Sequence, residues 1–393
     1  MNKKAPLFFF ATILGVSTLL SCSPKSNEAI SIPYGMLYDS SLSDEDHFKK
    51  IAYSDFLSLI KDNNDNENYG ESFFLVVRGS SKSCRCWSGV RENIAQYAKN
   101  KNLLVYYMSL DDDFKEKGVD KDFKGLKLKS GEQTIAIFEK GSLKYQTNID
   151  DESEYGKDYK ALANYLNERI KVGTILYINK KQLDSFYENG DSGAPFVVGF
   201  SRSGCSDCSY INSHHLKELA VNEKYKNSYI IDCDTEGIRK YNGEEADKSG
   251  SENAQIAYQN WIDFKNEYGL SDSSNADFGY KEGFVPTWTF NLPGLGKATS
   301  VRDMIVWGND TITKKENEYF ISETYFDGSR NHPFLGDKSI LDNAKVTTTN
   351  LLNTKITESE LTFYGETAYW THEASAKFED PLLTAFFDYY CAK

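Results

Sequence analysis

Residues 196–208 read Phe196-Val197-Val198-Gly199-Phe200-Ser201-Arg202-Ser203-Gly204-Cys205-Ser206-Asp207-Cys208. An apolar run of strand length gives way to a short polar turn, and two cysteines three positions apart follow. The run, taken from Pro195 to Phe200, predicts a strand buried on both faces, and a helix is expected over Tyr210 to Tyr225. Cys205 therefore falls at a helix N-terminus. Backbone N–H groups and the positive end of the helix dipole would point at its sulfur and favour the thiolate. Cys208, on the first helical turn, is within reach of that sulfur.

The same pattern occurs earlier in the chain. Val76-Val77 lie eight and seven residues before Cys84, as Val197-Val198 lie eight and seven before Cys205. Asp111 is 27 residues after Cys84 and Asp232 is 27 after Cys205, each closing an apolar run, Leu103 to Met108 and Tyr229 to Ile231. A supersecondary unit is repeated. The first unit reads as a helix over Asp44 to Lys61, a strand over Phe73 to Val77, and the pair Cys84 and Cys86. A helix over Val90 to Lys99 and a strand over Leu103 to Met108 follow. Strands at Thr134 to Phe138 and Leu143 to Gln146 flank Glu139-Lys140-Gly141, and a helix over Tyr159 to Ile170 closes the unit. The second reads as a strand over Thr174 to Ile178, a helix over Lys181 to Tyr187, the Pro195 strand and a strand over Tyr229 to Ile231. An insertion, about 235–283, carries a helix over Ala254 to Tyr268 with Ala254, Tyr258, Trp261, Ile262 and Tyr268 on one face and a stop at Gly269.

The chain has 393 residues, 40% hydrophobic and 26% charged, with a mean hydropathy of −0.55. That is a globular composition, not a disordered or polytopic membrane one. Lys and Arg number 45 against 58 Asp and Glu, with no basic stripe, so nucleic acid is not an expected partner. Lys3 and Lys4 precede an apolar run from Leu7 to Leu20 that is short for a membrane span and has the order of a secretory signal. Leu19-Leu20-Ser21-Cys22 resembles a bacterial lipobox. The resemblance implies a signal over 1–21, a lipid on Cys22, a tether over 22–31, and a location on the extracytoplasmic face of the cell membrane.

Seven cysteines are present, and without Cys22 they comprise two close pairs plus Cys233 and Cys391. A disulfide closing a loop of about four residues removes only ~2 kcal/mol of unfolded-state entropy, so the pairs are poor staples. Redox chemistry or soft-metal binding explains them better. Cys233 reads as a buried unreactive thiol, with pairing to Cys391 as the alternative. Adjacent His214 and His215 lack zinc-ligand spacing and read as surface or core histidines. Asp111, Asp112 and Asp113 read as a solvated strand end, since the glycine and distal glutamate of an EF loop are missing.

A Cys-x-x-Cys that follows a buried strand and opens a helix resembles the thioredoxin superfamily. In the second unit the resemblance rests on Phe196-Val197-Val198, Cys205-Ser206-Asp207-Cys208 and Val285-Pro286-Thr287 leading into Trp288-Thr289-Phe290. In the first it rests on Cys84-Arg85-Cys86 and Gln133-Thr134-Ile135-Ala136-Ile137-Phe138-Glu139-Lys140-Gly141, with Gln133 where the family has its cis-proline. The resemblance implies an α/β fold of two tandem thioredoxin-like domains, each a central mixed sheet flanked by helices. They would occupy 32–171 and 172–393, the second carrying the insertion and a C-terminal extension over about 313–393.

The activity implied is thiol–disulfide exchange on cysteines of exported proteins, or with a membrane redox partner, without a cofactor. Cys205 would attack, Cys208 resolve, and Val285-Pro286 present the substrate, with Cys84 and Cys86 as a second catalytic pair. Three features depart from the family pattern. Gly199 and Arg78 stand where reducing members often carry a buried acid. The charge of Asp207 would oppose the Cys205 thiolate, with Arg202 offsetting it. A Cys84–Cys86 disulfide would be strained and hence the more oxidising. Two other classes stay open: a soft-metal (copper) chaperone, against which four methionines weigh, and a redox-inert binding lipoprotein, against which the intact pair and Pro286 weigh.

Overall fold

A computed structural model of the chain describes residues 29–38, 48–60, 71–82, 87–114, 125–150, 152–188, 193–307, 312–315, 318–321, 355–364 and 367–392. The readings at Cys22 and at Cys84 and Cys86 lie outside the described residues.

The N-terminal half supplies β1 (Ile30–Met36), β2 (Phe48–Lys50), α1 (Tyr53–Leu59), β3 (Phe73–Arg78), α2 (Trp87–Lys101), β4 (Val105–Ser109) and α3 (Leu110–Asp113). It continues through β5 (Gln133–Glu139), β6 (Ser142–Ile149), α4 (Glu154–Lys157) and α5 (Tyr159–Asn167). The second half begins with β7 (Ile170–Tyr177), α6 (Lys180–Glu188), β8 (Phe196–Ser201), α7 (Ser206–Ser213), α8 (His215–Ala220) and β9 (Ser228–Asp232). Next come β10 (Lys240–Tyr241), β11 (Glu244–Glu245), α9 (Glu252–Glu267), β12 (Thr287–Asn291), α10 (Lys297–Ser300) and β13 (Val301–Val306). Short antiparallel pairs precede a last helix, His372–Tyr390.

Two mixed sheets result. One has the order β2-β4-β3-β5-β6, the other β1-β7-β9-β8-β12-β13. In each, the strands up to the one that precedes the cysteines pair parallel, and the last two each pair antiparallel with the strand before them. Val77 pairs with Met108 as Val198 pairs with Tyr229. The cysteine-based alignment of the halves is therefore also the register of their parallel strands.

Alternation of side chains across the pleat gives each sheet two apolar faces, as expected for a sheet covered by helices on both sides. Phe74 and Val76 meet α2 and α5, while Phe73, Leu75 and Val77 meet Phe56 of α1. Val198 and Phe200 meet Trp261, Phe264 and Tyr268 beside α6, while Val197 meets α7, α8 and the last helix. Leu382, Leu383, Phe386 and Phe387 of that last helix are fully buried. At roughly 1.5–3 kcal/mol for each such side chain, this last helix is part of the core and not an appendage.

Several expectations are corrected. Ile30 and Ser31, placed in the tether, belong to β1, which pairs parallel with β7 as the edge of the second sheet. A boundary at 171/172 falls inside β7, and β1 also joins the first half, the Met36 N–H donating to the Asn102 carbonyl at 2.8 Å. Within the described part, 48–60, of the helix expected over Asp44 to Lys61, the helix covers Tyr53–Leu59, because Phe48 is drawn into a strand beside β4 and packs on Trp87 and Tyr107. Tertiary pairing overrides the helical spacing.

The Tyr210 to Tyr225 helix starts earlier, at Ser206, and breaks at His214, whose ring stacks on Tyr210. α9 is capped by the Ser251 hydroxyl, which accepts from the Ala254 N–H, and it ends before Gly269, whose φ of 71° suits glycine. On α9, Ala254, Trp261 and Tyr268 of the expected face are buried, while Tyr258 and Ile262 are half-buried and line a cavity. Among the described residues, no helix is long and apolar enough to cross a membrane.

Candidate functional site

The three residues between β8 and Cys205 are fixed by carboxylates. Asp232, at the end of β9, accepts from the backbone N–H groups of Ser203, Asp234 and Thr235. Asp234 is buried and takes Arg202 Nε on one oxygen at 2.9 Å and the Gly204 N–H on the other at 2.8 Å. This places Cys205 as the N-cap of α7, with the Cys208 N–H donating to its sulfur at 3.4 Å. The Cys205 thiol in turn donates to the Val285 carbonyl at 3.8 Å, and the Val285–Pro286 peptide is cis. Four of the expected site residues, Cys205, Cys208, Val285 and Pro286, thus converge.

The two sulfurs are electrostatically unlike. The hydrogen bond from Cys208 brings Cys205 down from 9.0 to about 7, against the cost of burial, with help from the Cys208 backbone N–H and Arg202 and opposition from Asp207. Burial, then the neighbouring Cys205 sulfur, pushes Cys208 far up. Asp207 was expected to hold back the Cys205 thiolate, and the net direction is the reverse. Its carboxylate is occupied by His372 of the last helix, Nε2 to Oδ1 at 2.7 Å, and that bond raises His372 above the ordinary histidine value. The His372 ring also lies beside Tyr210, with centroids 4.8 Å apart.

Six residues before Cys205, Gly199 leaves room for the Trp288 indole. A Cβ there would lie 2.5 Å from the ring. Trp288 faces Gly199 across the β8–β12 ladder, and Thr289 faces Val198. In the other sheet Thr134 faces Val77. Gln133 consequently occupies the place of Trp288 and not that of Pro286, two residues from where the motif alone puts it. Its Oε1 accepts from the Gly79 N–H at 2.9 Å.

The two other described cysteines do not join the site. Cys233 and Cys391 are free thiols buried in different apolar clusters, which rules out the alternative of a bond between them in this structure. Burial pushes Cys391 up to about 12 and Cys233 well above its ordinary value. His215 is half-buried, its Nε2 within 2.7 Å of Thr384 Oγ1. Asp111 is not merely a solvated strand end: it accepts from the Ser81 N–H at 2.8 Å, as Asp232 does from Ser203. Among the described residues, no three His, Cys, Asp or Glu side chains are grouped to hold a metal ion.

Sequence reasoning missed His372 and Asp234. His372 is 165 positions from Asp207, and no local pattern ties the two. Asp234 had a signal, an acid just beyond one strand end and an arginine just beyond the other, but one too common to single out.

No family model and no curated protein matches the chain. Solved structures do match. Human ERp44 (form II) is 13% identical with a TM-score of 0.27, over 68% of this chain and 53% of that one. The first two thioredoxin domains of Naumovozyma dairenensis Eps1p are 12% identical with a TM-score of 0.20, over 70% of this chain and 95% of that one. The bb fragment of ERp72 is 15% identical with a TM-score of 0.23, over 56% and 96%. The chain spans about half the length of ERp44. At TM-scores this low the likenesses carry no argument, and the chemistry has to be read from the site's own geometry.

Proposed function

We propose that the protein is an extracytoplasmic thiol–disulfide oxidoreductase, anchored by a lipid on Cys22 and built on two thioredoxin-like units, with Cys205 and Cys208 as its exchanging pair. The observation that carries this reading is the division between the sulfurs. Cys205 is half-exposed, sits on the helix N-cap and has its thiol lowered to about 7, whereas Cys208 is buried and held protonated.

The Cys205 thiolate attacks one sulfur of a client disulfide. An S–S bond forms between Cys205 and the client, and the other client sulfur leaves as a thiolate and takes a proton from water. Cys208 then gives up its proton and attacks the Cys205 sulfur, which releases the second client thiolate and closes the Cys205–Cys208 bond. Two electrons pass to the client. A dithiol donor, soluble or in the membrane, returns the pair to the thiol form, and the same atoms run in reverse for oxidation.

The test is trapping under thiol-blocking conditions. Cys208→Ser accumulates mixed disulfides with exported clients and Cys205→Ser does not; equal trapping by both removes the assignment. Mass spectrometry of the membrane fraction checks the anchor, and an unmodified residue 22 there refutes it.

A further inference from the structure

Beside Cys205 the insertion encloses a cavity of about 600 Å3. Tyr258, Trp261, Ile262 and Lys265 of α9 line it, together with Phe284 and Val285 just before the proline. The wall that holds the sulfur is therefore continuous with an aromatic wall.

The cations deep in this cavity lack full partners. Arg202 shares Asp234 and Glu245 with Lys240. Arg239 packs on Trp261, its Nε buried with no hydrogen-bond partner. Lys265 is only 8% exposed, and its Nζ reaches the Gly283 carbonyl at 3.4 Å and the Trp261 face at 5.3 Å. Burial and the neighbouring Arg239 both pull the Lys265 ammonium down, with Glu282 opposing, and burial and Arg202 do the same to Arg239, with Asp234, Glu245 and the Cys205 sulfur opposing. The acids among the lining residues, Asp272 and Glu282, are exposed. Acids act on both cations from a distance, but among the described residues neither Lys265 nor Arg239 makes an ion pair within 4 Å, and an incoming carboxylate would supply one to both at once.

We propose that this cavity binds the flank of the client segment that exchanges with Cys205 and selects one carrying Asp or Glu beside its cysteine, the carboxylate seated between Lys265 and Arg239 and the adjoining side chain against Trp261. The proposal rests on the exchange reading above for its identification of the ligand as a client.

Synthetic peptides with serine in place of the exchanging cysteine, flanked by Glu, Gln or Lys, are titrated into the full chain by calorimetry. The Glu peptide is expected to bind about tenfold more tightly than the Gln peptide and the Lys peptide more weakly, with the differences shrinking as salt rises. Lys265→Met and Arg239→Gln each bring the Glu-to-Gln ratio to within about threefold, and the exposed Glu282→Gln, which spares the fold, widens it. Equal affinities for Glu and Gln peptides overturn the proposal, as does a ratio that no variant moves. Exchange is scored separately with the cysteine-containing Gln peptide. Exchange without charge preference leaves the exchange reading and removes this one. Charge-selective binding without exchange at Cys205 leaves a carboxylate site and removes the exchange reading.

Discussion

The loops that follow β3 and β8 are built alike at one point and differently at the next. In both, an aspartate at the end of the neighbouring parallel strand or just beyond it holds the loop: Asp111 accepts from Ser81, and Asp232 from Ser203. Beyond that the two diverge. The first loop is closed by polar clamps, the Gly79 N–H donating to Gln133 Oε1 and the Ser80 N–H to the Ser130 carbonyl. Around the second the chain runs on: β8 extends to Ser201, Thr287 pairs with Phe200, and Val285 is carried to the Cys205 sulfur. Behind it, a glycine and a tryptophan interlock where the first sheet has a half-buried arginine 5.9 Å from the Trp87 ring and a glutamine. One scaffold thus supports two polar loops, the described part of the first clamped to residues beside β5 and the second held by a buried ion pair beside a cavity. The divergence comes from a few residues at the strand ends.

The largest expected effect tests whether the second loop depends on its buried ion pair. Asp234→Ala leaves Arg202 buried without its close partner, which costs about 3–5 kcal/mol of stability. Asp111→Ala removes hydrogen bonds at an exposed loop and costs about 1 kcal/mol. Urea unfolding of both variants measures the difference. Similar losses at the two aspartates would break the contrast.

Next in size is the interlock. Gly199→Val drives two methyl groups toward the Trp288 ring and is expected to cost about 1–3 kcal/mol through overpacking. Arg78→Ala at the matching position loses about 0.5–1 kcal/mol, since the half-buried arginine gives up a hydrogen bond to the Tyr107 side chain and its place 5.9 Å from the Trp87 ring but nothing is overpacked. A Gly199→Val protein as stable as wild type, measured by thermal unfolding, would mean that the indole has room to move.

How much of this was legible beforehand follows from where each signal lies. The strands Phe73 to Val77 and Pro195 to Phe200 were readable because a doubly covered strand is apolar at every position. The repeat was readable because a shared register preserves spacing, and this fixed the Cys205 and Asp232 neighbourhood. α7 was read late because Ser206, Asp207 and Ser209 are weak helix formers; what starts the helix is the Cys205 cap. β1 is not legible as a strand, and the tether reading takes in its first two residues, because seven residues with Pro33 at their centre do not announce an edge strand. The place of Gln133 was misjudged by two residues since motif matching counts along one strand, whereas register is set across two. The partnership of His372 with Asp207 depends on where the last helix docks, and only packing decides that.

The smallest effect concerns that partnership. With Cys205 lowered to about 7, its alkylation rate should rise with a midpoint near pH 7 and not near 9.0. The thiol form gains stability from the same cause above the unfolded-state value, and that gain is lost as pH falls through about 7. His372 slopes the other way. Its value is raised by Asp207, so its contribution is complete below the ordinary 6.5 and is lost as pH rises through the raised value. Over the range in which His372 loses its proton, the Asp207 charge is progressively uncovered and opposes the Cys205 thiolate. His372→Phe keeps a ring beside Tyr210 but leaves Asp207 uncovered at every pH. The alkylation midpoint of that variant should move upward from about 7, slowing the reaction at neutral pH by less than about threefold, since Asp207 is half-exposed and well screened. A midpoint that stays put, or falls, would show that His372 serves packing of the last helix alone and does not tune the sulfur.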